Sequence, residues 1–211
     1  SNKRLLAISS GANINFERLS YIVERSEVGE KREKLLSIEI PEKPGSFLRL
    51  CNVFGRTPIT EFNYRLADHS VAHVLVGIKT ESEDTFKMLK NKLTKNKFKY
   101  TDLTKNQISN DHLRHMVGGH NISIGGNDSE RIFRCQFPER PRALLNFLND
   151  FGTRWNISLF HYRNLGAAFA NVLIGIEDKG KSQAQLDKHL KSLDYHLIEE
   201  TDNSAYKEFL K

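Results

Sequence analysis

The apolar positions along this chain switch between two periods, and the switching happens twice. Leu35-Leu36-Ser37-Ile38-Glu39-Ile40 alternates with the two-residue period of a strand. Pro41 and Pro44 bracket a turn, and Gly45 follows it. Phe47, Leu50, Cys51 and Phe54 then recur at i, i+3, i+4 and i+7, one buried face of a helix that Gly55 is placed to end. Two strands follow, through Arg65 and through Ile78, around the polar turn Ala67-Asp68-His69-Ser70. A second helix near Ser82 buries Phe86, Leu89 and Leu93, and Phe98 to Leu103 supplies the last strand. The predicted order is βαββαβ.

The same pattern returns in the second half. Ile59-Thr60-Glu61-Phe62-Asn63-Tyr64-Arg65 reappears as Ile157-Ser158-Leu159-Phe160-His161-Tyr162-Arg163, so residue i recurs at i + 98. Pro41-Glu42-Lys43-Pro44 returns as Pro138-Glu139-Arg140-Pro141 at i + 97, which places one inserted residue between Gly152 and Ile157. Leu144, Phe147, Leu148 and Phe151 form the matching helix stripe. Ser182 and Gln185 are spaced as a capping box ahead of Leu186, Leu190 and Leu193, and Tyr195 to Glu199 closes the set. Repetition at this period means two copies of one folding unit. Each βαββαβ copy gives a four-stranded antiparallel sheet with two helices on one face, the ferredoxin-like arrangement of an α+β protein.

The remaining segments set the expected boundaries. Leu5-Leu6-Ala7-Ile8, a small-residue turn, and a helix capped by Asn13 and carrying Phe16, Leu19, Ile22 and Val23 form a piece of an α/β domain. Residues 1–33 are therefore expected to be the remnant of an upstream domain and a linker. Residues 34–105 form the first module, 106–129 a connecting helix over Asn110 to Val117 and a Gly-rich linker, and 130–211 the second module, capped by Tyr206 to Leu210. Ser1-Asn2-Lys3 offers neither a signal segment nor an initiator Met, which fits a fragment of a longer chain.

Composition narrows the class without naming a function. With 38% hydrophobic and 27% charged residues, the chain is an ordinary globular protein. No apolar run approaches the ~20 residues needed to span a bilayer, so no membrane partner is expected. The formal charge of +6 is spread among interspersed Lys and Glu and reads as a solvated surface. Cys51 and Cys135 lie in apolar segments and read as small core residues.

The candidate chemistry points to binding. His112 and His115 are three apart on a helix with no further ligand at metal spacing, so no metal site is expected. No P-loop, G-x-S-x-G or H-E-x-x-H occurs, and no catalytic residue is assigned. RNA-recognition modules share the βαββαβ order but carry stacking aromatics on a central strand; Val71 to Ile78 and Ala170 to Ile176 have none, so nucleic acid is not the expected partner. The repeated Tyr-Arg remains. In an extended strand Phe62 and Tyr64 share one face and Asn63 and Arg65 the other, and Phe160 and Tyr162 behave likewise. A hydroxyl beside apolar rings suits a small amphipathic ligand, and an Arg fork suits a carboxylate. The same residues also suit a filled core with Arg at the sheet edge.

Longer stretches carry a family resemblance. Ser10-Gly11-Ala12-Asn13-Ile14-Asn15-Phe16, Phe62-Asn63-Tyr64-Arg65, His112 to Gly119 and Asn156 to Arg163 resemble the regulatory region of biosynthetic threonine dehydratase (threonine ammonia-lyase) and the end of its catalytic domain. The resemblance covers nearly the whole chain. It implies two ACT-like modules that bind isoleucine as inhibitor and valine as its antagonist, cytoplasmic and non-catalytic by themselves. The implied parent is a pyridoxal-phosphate lyase, tetrameric, converting threonine to 2-oxobutanoate and ammonia, whose Schiff-base lysine and phosphate loop lie upstream of Ser1. The partners implied are the catalytic domain of the same polypeptide and further copies in a homo-oligomer. Ser10 matches the family's cofactor-binding serine. Tyr64 and Tyr162 match its effector-binding tyrosines, and Phe62, Arg65, Gly45, Phe160, Arg163 and Arg114 complete the implied effector set; Arg163 and Arg114 match positions linked to feedback sensitivity. The alternative is a module that serves assembly alone, with the tyrosines as packing. One departure stands out: the second copy has Pro141-Arg142 where the first has Pro44-Gly45. A non-glycine residue disfavours positive φ, so the second loop is expected to adopt another conformation and the two sites to be unequal. Either Arg142 obstructs the second site, or its guanidinium reaches the effector carboxylate.

Overall fold

The computed structural model describes residues 33–66, 71–111, 113–115, 130–164, 169–177 and 183–210. The first half runs β1 (Glu33–Pro41), α1 (Ser46–Phe54), β2 (Ile59–Arg65), β3 (Val71–Lys79), α2 (Glu83–Lys95) and β4 (Lys99–Asp102), followed by α3 (Gln107–Asp111) and a 3₁₀ turn (Leu113–His115). The second runs β5 (Glu130–Pro138), α4 (Ala143–Phe151), β6 (Asn156–Arg163), β7 (Phe169–Glu177), α5 (Gln183–Ser192) and β8 (His196–Glu199), followed by α6 (Ser204–Phe209). Each half is the βαββαβ unit that the hydrophobic pattern predicts.

The halves share one eight-stranded sheet of order β4-β1-β3-β2-β6-β7-β5-β8, antiparallel at every pairing. The repeated stretch is itself the seam. Phe62 pairs with Tyr162, Asn63 with His161 and Tyr64 with Phe160. Phe62 thus faces the counterpart of Tyr64, Tyr64 faces the counterpart of Phe62, and a pseudo-twofold axis passes through Asn63 and its own counterpart His161.

Helices α1, α2, α4 and α5 contribute Phe47, Leu50, Phe86, Leu89, Phe147, Leu148 and Leu186 to one core. Across the seam Phe62 and Phe160 meet edge to face at 5.8 Å, and Phe47 touches both, at 5.6 and 6.2 Å. Aromatic pairs of this geometry contribute ~0.5–1.5 kcal/mol each beyond area burial. The helix boundaries follow local chemistry. Ser82 caps α2 by accepting from Thr85 N, with Glu83 and Asp84 in its first turn. For α5, Ser182 lies outside the described residues, and Gln185 accepts from Arg154 Nη2 at 2.6 Å; the expected capping box does not account for its side chain.

The repeat also continues past the last strand of each half. Leu35 N donates to Thr104 Oγ1 and Ile132 N to Thr201 Oγ1. Asn106 then caps α3 at Ser109 N, and Asn203 caps α6 at Ala205 N, both at 2.9 Å. The connecting helix, expected from Asn110, therefore starts at Gln107 because Asn106 accepts from the free amide of Ser109 in its first turn; its expected end at Val117 lies outside the described residues. So do Ser10, the Gly-rich linker and the 67–70 turn.

One expectation fails outright. Arg142 adopts φ 71°, ψ 12°, beside φ 85°, ψ −6° at Gly45. The second loop keeps the conformation of the first. Arg142 N-caps α4 as Gly45 caps α1, and Asn146 N → Arg142 O repeats Arg49 N → Gly45 O. The left-handed residue costs on the order of 1–2 kcal/mol, which the preserved turn absorbs.

Candidate functional site

Two tyrosine seats flank the pseudo-twofold axis. Strand alternation turns Phe62 and Tyr64 towards the helices, and Phe160 and Tyr162 from the other half. Tyr64 is 3% and Tyr162 2% exposed. Tyr64 donates its hydroxyl in a short hydrogen bond to Glu42, on the turn after β1. Tyr162 stands 3.0 Å from both carboxylate oxygens of Glu139, the counterpart of Glu42, and 3.4 Å from Ile59 O of the opposite half. Burial first, and then the carboxylate, push both hydroxyls well above the usual tyrosine range. Both therefore remain donors at any physiological pH.

The first seat is completed across the seam. Asn156 Nδ2, from the opening of β6, donates to Glu42 at 2.9 Å and to Glu177 at 2.7 Å. A β-carbon on Gly45 would fall 2.8 Å from Thr153 Cγ2, so glycine is required for the first turn to approach the second half this closely. At the second seat the counterpart of Asn156 is Pro58, which has no donor. An open groove of about 560 Å³ between α1 and α2 reaches Gly45, lined also by Leu48, Asn52, Lys92 and Asn96. Arrayed hydroxyls and carboxylates beside aromatic rings can orient a ligand that has a donor group and a short apolar side chain.

The predicted set divides between the two faces of the sheet. Gly45, Phe62, Tyr64, Phe160 and Tyr162 lie on the helix side, whereas Arg65, Arg163 and Arg114 lie on the other. Period-two alternation forces this, because Arg65 and Arg163 each follow a tyrosine directly. Arg65 is buried and donates to Glu130 at 2.6 and 3.1 Å and to the carbonyl of Leu210. Glu130 also accepts from Ser158 and, at 2.6 Å, from Tyr206 on α6. Arg114, on the 3₁₀ turn, holds Glu33 with a fork of 2.9 and 3.1 Å and approaches Glu61 at 2.8 Å. Arg163 stands directly opposite Glu61 in the ladder. Phe62 and Phe160 are fully buried and serve the core that carries the tyrosines.

Sequence reasoning missed Glu42, Glu139, Asn156, Glu61, Glu33 and Glu130. The offset supplied a signal for some of them: Glu33 recurs as Glu130 and Glu42 as Glu139, each at i + 97. Among the described residues no three His, Cys, Asp or Glu converge as a metal site, and no helix is long and apolar enough to cross a membrane.

Residues 24–113 and 123–210 match the family described as the C-terminal regulatory domain of threonine dehydratase. The chain is 42% identical over 210 residues to the biosynthetic L-threonine dehydratase IlvA of Burkholderia multivorans, covering 99% of this chain and 41% of that protein. It is 42% identical over 212 residues to the Escherichia coli enzyme, covering 99% and 40%, and 39% identical over 200 residues to the chloroplastic enzyme of Arabidopsis thaliana, covering 94% and 33%. It spans about two-fifths of the length of the bacterial relatives.

Proposed function

As the chain belongs to the family of threonine dehydratase C-terminal regulatory domains, we propose that its two ACT-like halves form a sensor for branched-chain amino acids. Isoleucine binds as the feedback inhibitor and valine opposes it, at the two tyrosine seats. The observation that carries this reading is the duplicated tyrosine–carboxylate pair, Tyr64 with Glu42 and Tyr162 with Glu139, each at the seam where both halves contribute. A residue buried only for packing does not require a matched carboxylate, and burying one costs free energy unless it is hydrogen-bonded. The ligand's ammonium group takes the carboxylate in place of the tyrosine proton, its side chain lies against the aromatic rings, and its carboxylate faces the free amides that open α1 or α4.

The longer protein of which this is the regulatory part is proposed to be a threonine ammonia-lyase using pyridoxal phosphate, homo-oligomeric and cytoplasmic, with Ser10 near the cofactor. The cofactor supplies the electron sink for that chemistry when bound. The described residues take no part in it. They act by coupling effector occupancy to the catalytic domain, an interaction usually of ~1–3 kcal/mol.

Calorimetric titration with isoleucine, valine and threonine tests the proposal. We expect saturable isoleucine binding, weaker valine binding and none by threonine at equal concentration. Tyr64→Leu and Tyr162→Leu should each remove one binding event. A second reading, assembly alone, is favoured by the near-complete burial of both tyrosines. It wins if both substitutions lower stability while no isoleucine heat is seen with the parent chain.

A further inference from the structure

The two faces of the sheet meet at a three-residue bulge, Ile59 to Glu61, where β2 slips register against β3. Each residue of the bulge holds something different. Ile59 O faces the Tyr162 hydroxyl at 3.4 Å. Thr60 O accepts from Asn164 N at 2.7 Å, two residues beyond Tyr162, and Thr60 Oγ1 donates to Glu33 at 2.8 Å. Glu61 points to the other face and is completely buried. Its side chain lies in a cradle over Gly77, where a β-carbon would come within 2.8 Å of Glu61 Cγ and 2.5 Å of Thr60 Oγ1. Two of the backbone contacts to the Tyr162 strand therefore come from the two residues preceding a buried carboxylate.

The charges facing Glu61 come from every neighbouring element. The 3₁₀ turn presents Arg114 at 2.8 Å, an ion contact without hydrogen-bond alignment at Oε1. β1 presents Glu33, itself held by Arg114 and Thr60 and acted on by Lys79 of β3. β6 presents Arg163 directly opposite and, two residues back, His161. Burial and Arg163 hold His161 below the usual imidazole range, so it is neutral near pH 7. Burial raises Glu61 to about 7, with Arg114 and Arg163 opposing the rise and Glu33 adding to it. Among the described residues, the second half has no carboxylate at its bulge. Its matching bulge, Ile157 to Leu159, carries Leu159 at the position of Glu61, while Ser158 O grips Leu66 N at 2.7 Å as Thr60 O grips Asn164 N.

We infer that Glu61 is a positioning residue for the Tyr162 seat: ionised, it draws Arg114 and Arg163 together and fixes the bulge, and on taking up a proton it lets go of Arg163 and leaves Arg114 to its fork on Glu33. The Tyr162 seat then responds to pH across neutrality while the Tyr64 seat does not. The inference rests on the reading of the tyrosine seats as effector sites. It goes beyond that reading in assigning one seat a proton-controlled backbone.

Isoleucine titration of the chain carrying Tyr64→Leu follows the Tyr162 seat alone. We expect affinity at pH 8 to exceed that at pH 6 by about fivefold or more, the weak end of the usual allosteric range. Adding Glu61→Gln, which keeps the shape and removes the charge, should give the weaker affinity at both pH values. Equal affinities at pH 6 and 8 without the Gln substitution, or a fivefold change that survives it, overturn the inference. A ligand-free measurement separates this failure from failure of the proposed function. In the chain without substitutions, the carboxyl carbon resonance of Glu61 and the Nε–H resonance of Arg114 should titrate together with one midpoint near neutrality. If Arg114 does not follow Glu61, the clamp is wrong whether or not isoleucine binds.

Discussion

The two halves are built on one pattern, yet each treats its buried acids differently. In the second, Glu130 is fully engaged: Arg65 arrives from the first half, Ser158 from β6 and Tyr206 from the closing helix. In the first, Glu33 shares Arg114 with a second carboxylate, Glu61, that has no counterpart across the axis. The second half thus holds a saturated ion pair, and the first an excess acid near its titration point. Duplication preserved the scaffold, while the few positions on the far face of β2 and β6 decided which half can respond to its surroundings.

The strongest way to break the comparison is to remove a shared cation. Arg65→Ala leaves Glu130 buried with hydroxyl partners only, and loss of one member of a buried pair costs ~3–5 kcal/mol. Arg163→Ala, at the equivalent but half-buried position, should cost about 1 kcal/mol or less. Urea denaturation at pH 7 measures both. Equal losses would mean that the halves are electrostatically alike.

A pH series comes next. The folded state holds the Glu61 proton up to about pH 7, whereas the unfolded chain releases it near the ordinary carboxylate value of 4.5. Between those values the folded state binds more protons, so stability falls as pH rises from 4.5 to 7 and levels off above, by up to ~3 kcal/mol. Glu61→Leu, which copies Leu159, should flatten that slope. Glu33 acts in the opposite sense and in another window. Burial alone would raise it, but the Arg114 fork and Thr60 hold it below 4.5, so its contribution is lost only as pH falls below that value. Denaturant midpoints measured at intervals from pH 2 to 8 check both signs.

Gly45→Ala sharpens the contrast between the turns. It combines positive φ with a 2.8 Å approach to Thr153 Cγ2, and thermal unfolding should register a loss of ~1–3 kcal/mol. Arg142→Gly is the smallest effect expected. Relief of the left-handed residue is offset by the freer unfolded chain, leaving a change within ~1 kcal/mol by the same measurement.

Much of the fold was legible because each core stripe and strand alternation is local. Phe47, Leu50, Cys51 and Phe54 are all buried, as are Leu144, Phe147, Leu148 and Phe151. The tyrosines were legible as repeated residues on one strand face. Their partners were not, because Glu42 meets Tyr64 through a turn, and Asn156 reaches Glu42 through a seam that pairs the two copies to each other. Local periodicity carries no information about which strand becomes a neighbour. The alternation that separates Tyr64 from Arg65 was visible, but what lay on the arginine's side depended on α3, the 3₁₀ turn and α6. Those were read as connector and tail, although Thr104 and Asn106 recur as Thr201 and Asn203. The turn at Arg142 was misjudged for another reason. A strain of one residue is small beside the helix and strand that the turn joins.

The seam through Asn63 and His161 has an evolutionary consequence. An interface in which residue i of one copy meets residue j of the other, and j meets i, is the interface of a symmetric dimer. In a dimer of separate chains, one codon change alters both copies, so an acid introduced at the bulge would appear on both sides of the axis. Covalent fusion removes that constraint. Asn63 could stay while its partner became His161, and Glu61 could stand opposite a half that carries Leu159. Joining the copies end to end lets each half change alone, and with it two copies of one folding unit can come to differ in how they respond to their surroundings.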